Sequence, residues 1–269
     1  MENKLDKIVY DYECYKSLMV SDSKADITIK YCDINYLEFC GGKLLVNNNS
    51  YIKTFNIVKP TGNLDCCSIG KDVEIGRCKI TNLLLNGYRV WIEHGADIEY
   101  ILVSSTHRTR VSKNVNTTGY IVIRDASHAK INTIKSLQDS RVEISGGNIN
   151  NIFAYGTIMV MNSARINSIE LLDDDACVYV PTYYRWPKSK PVSKKITGQK
   201  GKIHINGDVT IESIDISSDV KVVAARDITV VINKLVIDGK QITDIKQYLG
   251  MKKHSAFYIY GPTDKDVER

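Results

Sequence analysis

Apolar residues recur along this chain in a six-residue motif, at its first, fourth and sixth positions. Ile149, Ile152 and Ala154 make one copy, and others begin at Ile34, Ile52, Ile80, Ile98, Ile166, Ile211 and Ile232. Short alternating runs precede the copies: Ile27 and Ile29, Leu44 and Val46, Val73 and Ile75, Val90 and Ile92, Val142 and Ile144, Ile158 and Val160, Ile203 and Ile205. Alternation is the signature of a strand with one face buried. Repeats of roughly twenty residues predict a stacked solenoid, because one repeat alone cannot bury its apolar side. The expected fold is all-β, a parallel β-helix (β-solenoid) of roughly nine to ten short coils with a cap at each end.

The spacing divides the chain into three parts. Residues 1–24 lack the repeat, and the placing of Leu5, Ile8, Val9, Tyr12 and Tyr15 fits a short amphipathic helix or an irregular N-terminal cap. Residues 25–238 carry the coils, with insertions near 60–67, 104–119 and 181–202 that must leave as loops. Residues 239–269 form a C-terminal cap and tail. Within it, Gln241 to Gly250 reads as a helix with Thr243 as N-cap, and Phe257 to Tyr260 as a last strand. An Asn often follows the first Ile of the motif, as at Asn35, Asn132, Asn150, Asn167 and Asn233, and predicts a structural ladder from coil to coil.

Composition narrows the setting. The formal net charge of +5 permits an anionic partner without demanding one. Seven cysteines, with no CxxC pair and a vicinal Cys66-Cys67, predict reduced thiols, and Cys78 reads as a small core residue. The histidines are scattered, so neither a metal nor a cofactor is expected. No apolar run approaches the ~20 residues of a membrane span, and no secretory signal is visible. The expected setting is the cytoplasm, or a virion assembled inside a host cell.

The run Ile69-Gly70-Lys71-Asp72-Val73-Glu74-Ile75-Gly76 resembles the hexapeptide repeat of left-handed β-helix acyltransferases, but it occurs once. The irregular coil lengths are more similar to right-handed parallel β-helices, a class that includes bactofilin scaffolds, polysaccharide lyases and phage tailspikes. That resemblance implies a right-handed coil and leaves the activity open.

Candidate chemistry follows from the positions that alternation sends outward. On the first strand set these are Thr28, Leu45, Glu74, Trp91, Val122, Glu143, Met159, Tyr179, His204 and Val223. Trp91, Val122, Met159 and Tyr179 form an apolar band, expected to be an interface or a strip covered by the protein's own loops. Leu84, Leu102 and Phe153 make a second outward set. Asp173, Asp174 and Asp175 are the candidate catalytic carboxylates, with a solvated turn as the plainer alternative. The third insertion offers a basic aromatic loop: Tyr183, Tyr184, Arg185, Trp186, Lys188, Lys190, Lys194 and Lys195. Such side chains suit phosphates, acidic sugars or stacked bases.

Three functions compete. The first is a non-enzymatic structural or binding β-solenoid that self-associates or binds a protein partner, with a viral or phage setting by analogy. The second is a lyase or hydrolase acting on a polysaccharide. The third is a binder of nucleic acid or another polyanion. No Walker loop, GxGxxG, HExxH or GxSxG is present. No membrane partner is expected.

Overall fold

The computed structural model describes residues 7–21, 26–40, 43–58, 73–86, 89–93, 95–104, 120–123, 128–181, 191–225, 228–249 and 257–258. The chain is a parallel β-solenoid whose coils each give one strand to each of two sheets. The short-strand sheet stacks eleven strands. In chain order they are Lys7–Asp11, Asp26–Lys30, Lys43–Asn47, Val73–Ile75, Arg89–Ile92, Tyr120–Ile123, Arg141–Ile144, Thr157–Val160, Cys177–Val180, Lys202–Ile205 and Lys221–Ala224. The long-strand sheet begins with the pieces Cys14–Tyr15 and Leu18–Val20. It continues through Asp33–Phe39, Tyr51–Val58, Lys79–Asn86, Asp97–Ser104, Lys130–Ser136, Asn148–Ala154, Arg165–Leu171, Val192–Gly198, Val209–Ile216 and Val230–Ile237.

The six-residue motif is a bent strand. In Asn148–Ala154 the buried residues are Ile149, Ile152 and Ala154, so Asn150 and Asn151 both face outward and the chain turns a corner there. Backbone pairing skips that corner: Ile131 pairs Ile149 and Thr133 pairs Asn151, while Asn132 and Asn150 stand between. Their side chains carry the connection instead. Asn150 Nδ2 donates to Asn132 Oδ1 (3.1 Å) and Asn167 Nδ2 to Asn150 Oδ1 (2.9 Å). Asn132 Nδ2 donates on to Glu99 Oε1 (2.5 Å). The expected Asn ladder is thus present in part, at Asn132, Asn150 and Asn167 with Glu99 at one end, and these bonds do not extend to Asn35 or Asn233.

A second ladder runs inside the turn that precedes each long strand. Cys32, Ser50, Cys78, Ala96, Ala129 and Ala164 are all buried there. Only small side chains fit so close to the next coil. Their carbonyls accept from the coil above: Tyr51 N–H bonds Cys32 O (2.8 Å), Lys79 N–H bonds Ser50 O and Asp97 N–H bonds Cys78 O (both 2.9 Å). This explains two of the cysteines as packing residues. One continuous apolar core, from Leu18 to Leu249, fills the space between the sheets.

Three boundaries differ from the sequence expectation. Over residues 7–20 the N-terminal segment is neither a helix nor irregular: Lys7–Asp11 pairs in parallel with Asp26–Lys30, and Leu18–Val20 with Leu37–Phe39, so it forms a coil of its own. The third insertion is shorter than expected, because Val192–Gly198 is a strand between Arg165–Leu171 and Val209–Ile216. At the C-terminal end the helix spans Ile245–Tyr248, and its N-cap is Asp244, which accepts from Gln247 N–H (2.8 Å), rather than Thr243. Ile237 leads through Asp238 (φ 48°) and Gly239 (φ 74°) into Lys240–Gln241, which pairs antiparallel with Val236–Ile237. Two successive positive φ values make this a tight hairpin turn, and Asp-Gly is the pair that tolerates it. Phe257–Tyr258 adds in parallel to Val230–Val231. The insertions near 60–67 and at 105–119 lie outside the described residues.

Candidate functional site

Strand register turns the outward positions of the short-strand sheet into one line of contacts. Val9 opposes Thr28, and the line continues through Leu45, Glu74, Trp91, Val122, Glu143, Met159, Tyr179 and His204 to Val223. Glu74 and Glu143 are three steps apart. At ~4.8 Å per step that is roughly 14 Å. Carboxyl pairs that cleave glycosidic bonds work at ~5–9.5 Å, so these two do not form such a pair.

The apolar band lies on this line but is not freely exposed. Val122 is only 6% exposed although it points away from the core, and Trp91, Met159 and Tyr179 are half-buried. Neighbouring polar groups close over them. The Arg141 guanidinium reaches both Glu143 Oε1 and Met159 Sδ (each 2.7 Å), and Asn206 Nδ2 donates to Tyr179 Oη (3.3 Å). His204 stands between Tyr179 and Val223. Asp208, four residues after His204 and the acidic residue nearest it in sequence, accepts from Thr229 N–H (2.8 Å) in the turn of the next coil.

Asp173, Asp174 and Asp175 occupy the turn after Arg165–Leu171. Asp173 Oδ1 accepts from Asp175 N–H (3.1 Å) and Oδ2 from Gln138 Nε2 (2.9 Å). These bonds, the Asp175 amide first, hold its carboxyl below the ordinary range. Asp174 reaches Lys200 Nζ (3.4 Å) across an exposed turn. The first carboxylate is therefore occupied in shaping the turn, and the three do not converge on a point. Among the described residues, no group of three His, Cys, Asp or Glu side chains could hold a metal ion.

A shallow hollow of about 420 Å³ adjoins this turn, lined by Glu170, Thr197, Lys200 and Asp215 among others. Glu170 pairs Thr197, and Thr197 pairs Asp215, so the carboxylates flank the Thr on consecutive coils. They are two steps apart, roughly 10 Å. Sequence reasoning missed this pair. Its signal was the fifth position of the motif, which is apolar at Leu84, Leu102 and Phe153 but acidic at Glu38, Glu170 and Asp215.

Lys194 and Lys195 sit at the exposed corner of Val192–Gly198, next to Ser213, whose hydroxyl donates to Lys194 O (3.2 Å). Tyr183, Tyr184, Arg185, Trp186, Lys188 and Lys190 lie outside the described residues. Two of the thiols, Cys78 and Cys177, are not poised for attack. Burial pushes Cys78 up to about 12 and raises Cys177, the latter eased by Lys202. A protonated thiol at neutral pH is a poor nucleophile.

The two most exposed large apolar side chains, Tyr12 and Met19, lie elsewhere, on the N-terminal coil with Val9, while Val223, 50% exposed, lies on the last strand of the short-strand sheet. Tyr12 is 74% exposed, Met19 69% and Val9 46%. Among the described residues no helix is long and apolar enough to cross a membrane. The chain matches no family model, no curated protein and no solved structure.

Proposed function

We propose that this chain is a non-enzymatic β-solenoid that works as a structural or binding element and associates with itself. The observation that supports this best is the distribution of its surface chemistry. Along the outward line of the short-strand sheet the carboxylates stand too far apart to cooperate. Val9, Tyr12 and Met19 are instead exposed on the first coil of the described residues, and the outer coil of a solenoid needs either a polar cap or a partner. Sedimentation velocity across protein concentration tests the reading. A sedimentation coefficient that rises with concentration is expected, and a single monomeric species throughout contradicts it.

A second reading, an enzyme acting on a polysaccharide, rests on the hollow flanked by Glu170 and Asp215. Their spacing of roughly 10 Å is at the far edge of what an inverting pair with a water between them uses. Glu170→Gln and Asp215→Asn separate the two readings. An enzyme would lose release of reducing ends from the polysaccharide with its melting temperature unchanged, whereas a scaffold has no such activity to lose.

A further inference from the structure

Resting on the self-associating reading above, we propose that the N-terminal end of the solenoid is a two-fold interface for a second copy of this chain. Its centre is Lys7–Asp11, which would pair antiparallel with the same strand of the other copy. Among the described residues Lys7–Asp11 is the outermost strand of its sheet. One edge is bonded to Asp26–Lys30, and the other has no strand against it among the described residues. A row of backbone donors and acceptors on such an edge is a template for another strand. The side chains around it are the wrong ones for solvent. Val9, Tyr12 and Met19 are exposed, and the inward residues Ile8, Tyr10 and Tyr15 are only partly buried against the core.

The sequence of this edge is complementary to itself. Turned antiparallel about Val9, the strand Lys7-Ile8-Val9-Tyr10-Asp11 sets Lys7 against Asp11 of the second copy, and Asp11 against its Lys7. Directly opposed residues on an antiparallel pair share a face. Val9 then meets Val9 on the outside, and Ile8 meets Tyr10 on the inside, so the core continues across the junction. Opposite charges at both ends of the strand fix this register and disfavour a slipped one.

The other end of the molecule is a poorer partner for this edge. Parallel stacking of Lys221–Ala224 onto Lys7–Asp11 would oppose Lys221 to Lys7. The neighbouring long-strand sheet is also closed at that end by Lys240–Gln241, Phe257–Tyr258 and the helix, which stand in the way of flush stacking. A closed two-fold dimer follows, rather than an open filament.

The test is a charge swap read by sedimentation equilibrium of the full chain. Lys7→Glu places like charges together twice across the two-fold, and is expected to raise the dimer dissociation constant about tenfold or more. Asp11→Lys should do the same, and also removes the ion pair to Lys30 (2.7 Å), so its melting temperature serves as a folding control. The double variant Lys7→Asp with Asp11→Lys should restore the dimer, which a merely structural role for either residue would not do. Val9→Lys should dissociate it without disturbing the central coils. A wild-type dimer that ignores all four variants overturns the N-terminal interface and leaves the self-associating reading standing. A wild type that stays monomeric at every concentration overturns both.

Discussion

At the C-terminal end the last long strand, Val230–Ile237, is covered by a hairpin return, a helix and a further strand, and its inward residues Val230, Ile232 and Leu235 are fully buried. Ile245 and Leu249, from the helix and its C-cap, are 2% and 8% exposed over that core. At the N-terminal end nothing comparable is seen among the described residues. Ile8, Tyr10 and Tyr15 are partly buried, and Val9, Tyr12 and Met19 face outward. Both ends meet the same physical problem, since a stack of parallel strands ends in unpaired backbone and open core. The C-terminal end solves it for one sheet with its own chain. Among the described residues nothing covers the short-strand sheet there, and Val223 is half exposed. Among the described residues the N-terminal end covers neither sheet, and that asymmetry is why the interface is placed there.

The contrast between a covered coil and an open one can be broken by substitution. The largest effect is expected in the middle of the stack. Ile152 is 1% exposed, and Ile152→Asp places an unpaired carboxylate there. The expected loss is ~4 kcal/mol or more in urea unfolding. A fully stable variant would mean that the inward assignment is wrong. At the covered end, Ile245→Ala should cost ~2 kcal/mol, because it empties a filled site beneath the cap. A cost near zero would mean that the helix is not part of the core.

A buried thiol sharpens the same comparison through pH. Cys78 titrates at about 12 when folded, against an ordinary 9.0. Its folded value is raised, so its contribution is complete below pH 9.0 and is lost as pH rises toward 12. Over that window the unfolded chain gives up a proton that the folded chain keeps, and stability falls by up to ~1.4 kcal/mol per pH unit. Cys78→Ala should flatten the alkaline decline relative to wild type, and an unchanged slope would contradict the burial. Smaller still is Asn150→Ala, which removes two exposed ladder bonds and should cost ~1 kcal/mol or less in the same unfolding assay. At the open end Val9→Ala should change monomer stability by no more than ~0.5 kcal/mol in dilute solution, while weakening association.

The contrast between regions also explains what was readable in the sequence. Where a coil carries a large apolar residue at all its inward positions, as at Ile52, Phe55 and Ile57, the burial period is visible and the strand follows. The coil at Val192–Gly198 was hidden because Ser193 and Gly198 stand where other coils carry Ile and Leu, leaving Ile196 as its one large inward residue. Gly198 is small for a reason. A Cβ there would come within 2.7 Å of Leu171 Cβ. The N-terminal coil was misread because Ile8, Tyr12 and Tyr15 fall at helical spacing, while its long-sheet pieces are only two and three residues long. The turn at Asp173 was legible as a turn. The Glu170–Asp215 pair was not, since its residues lie in different copies of the repeat and meet only through register.

The claim that the N-terminal edge of the short-strand sheet is the interface, and its C-terminal edge is not, is tested most directly by amide hydrogen exchange at increasing protein concentration. Protection across Lys7–Asp11 should rise with concentration as the edge pairs, while the edge at Lys221–Ala224 keeps the same rates throughout. Rates at Lys7–Asp11 that do not depend on concentration, or protection that builds at Lys221–Ala224 instead, would contradict it.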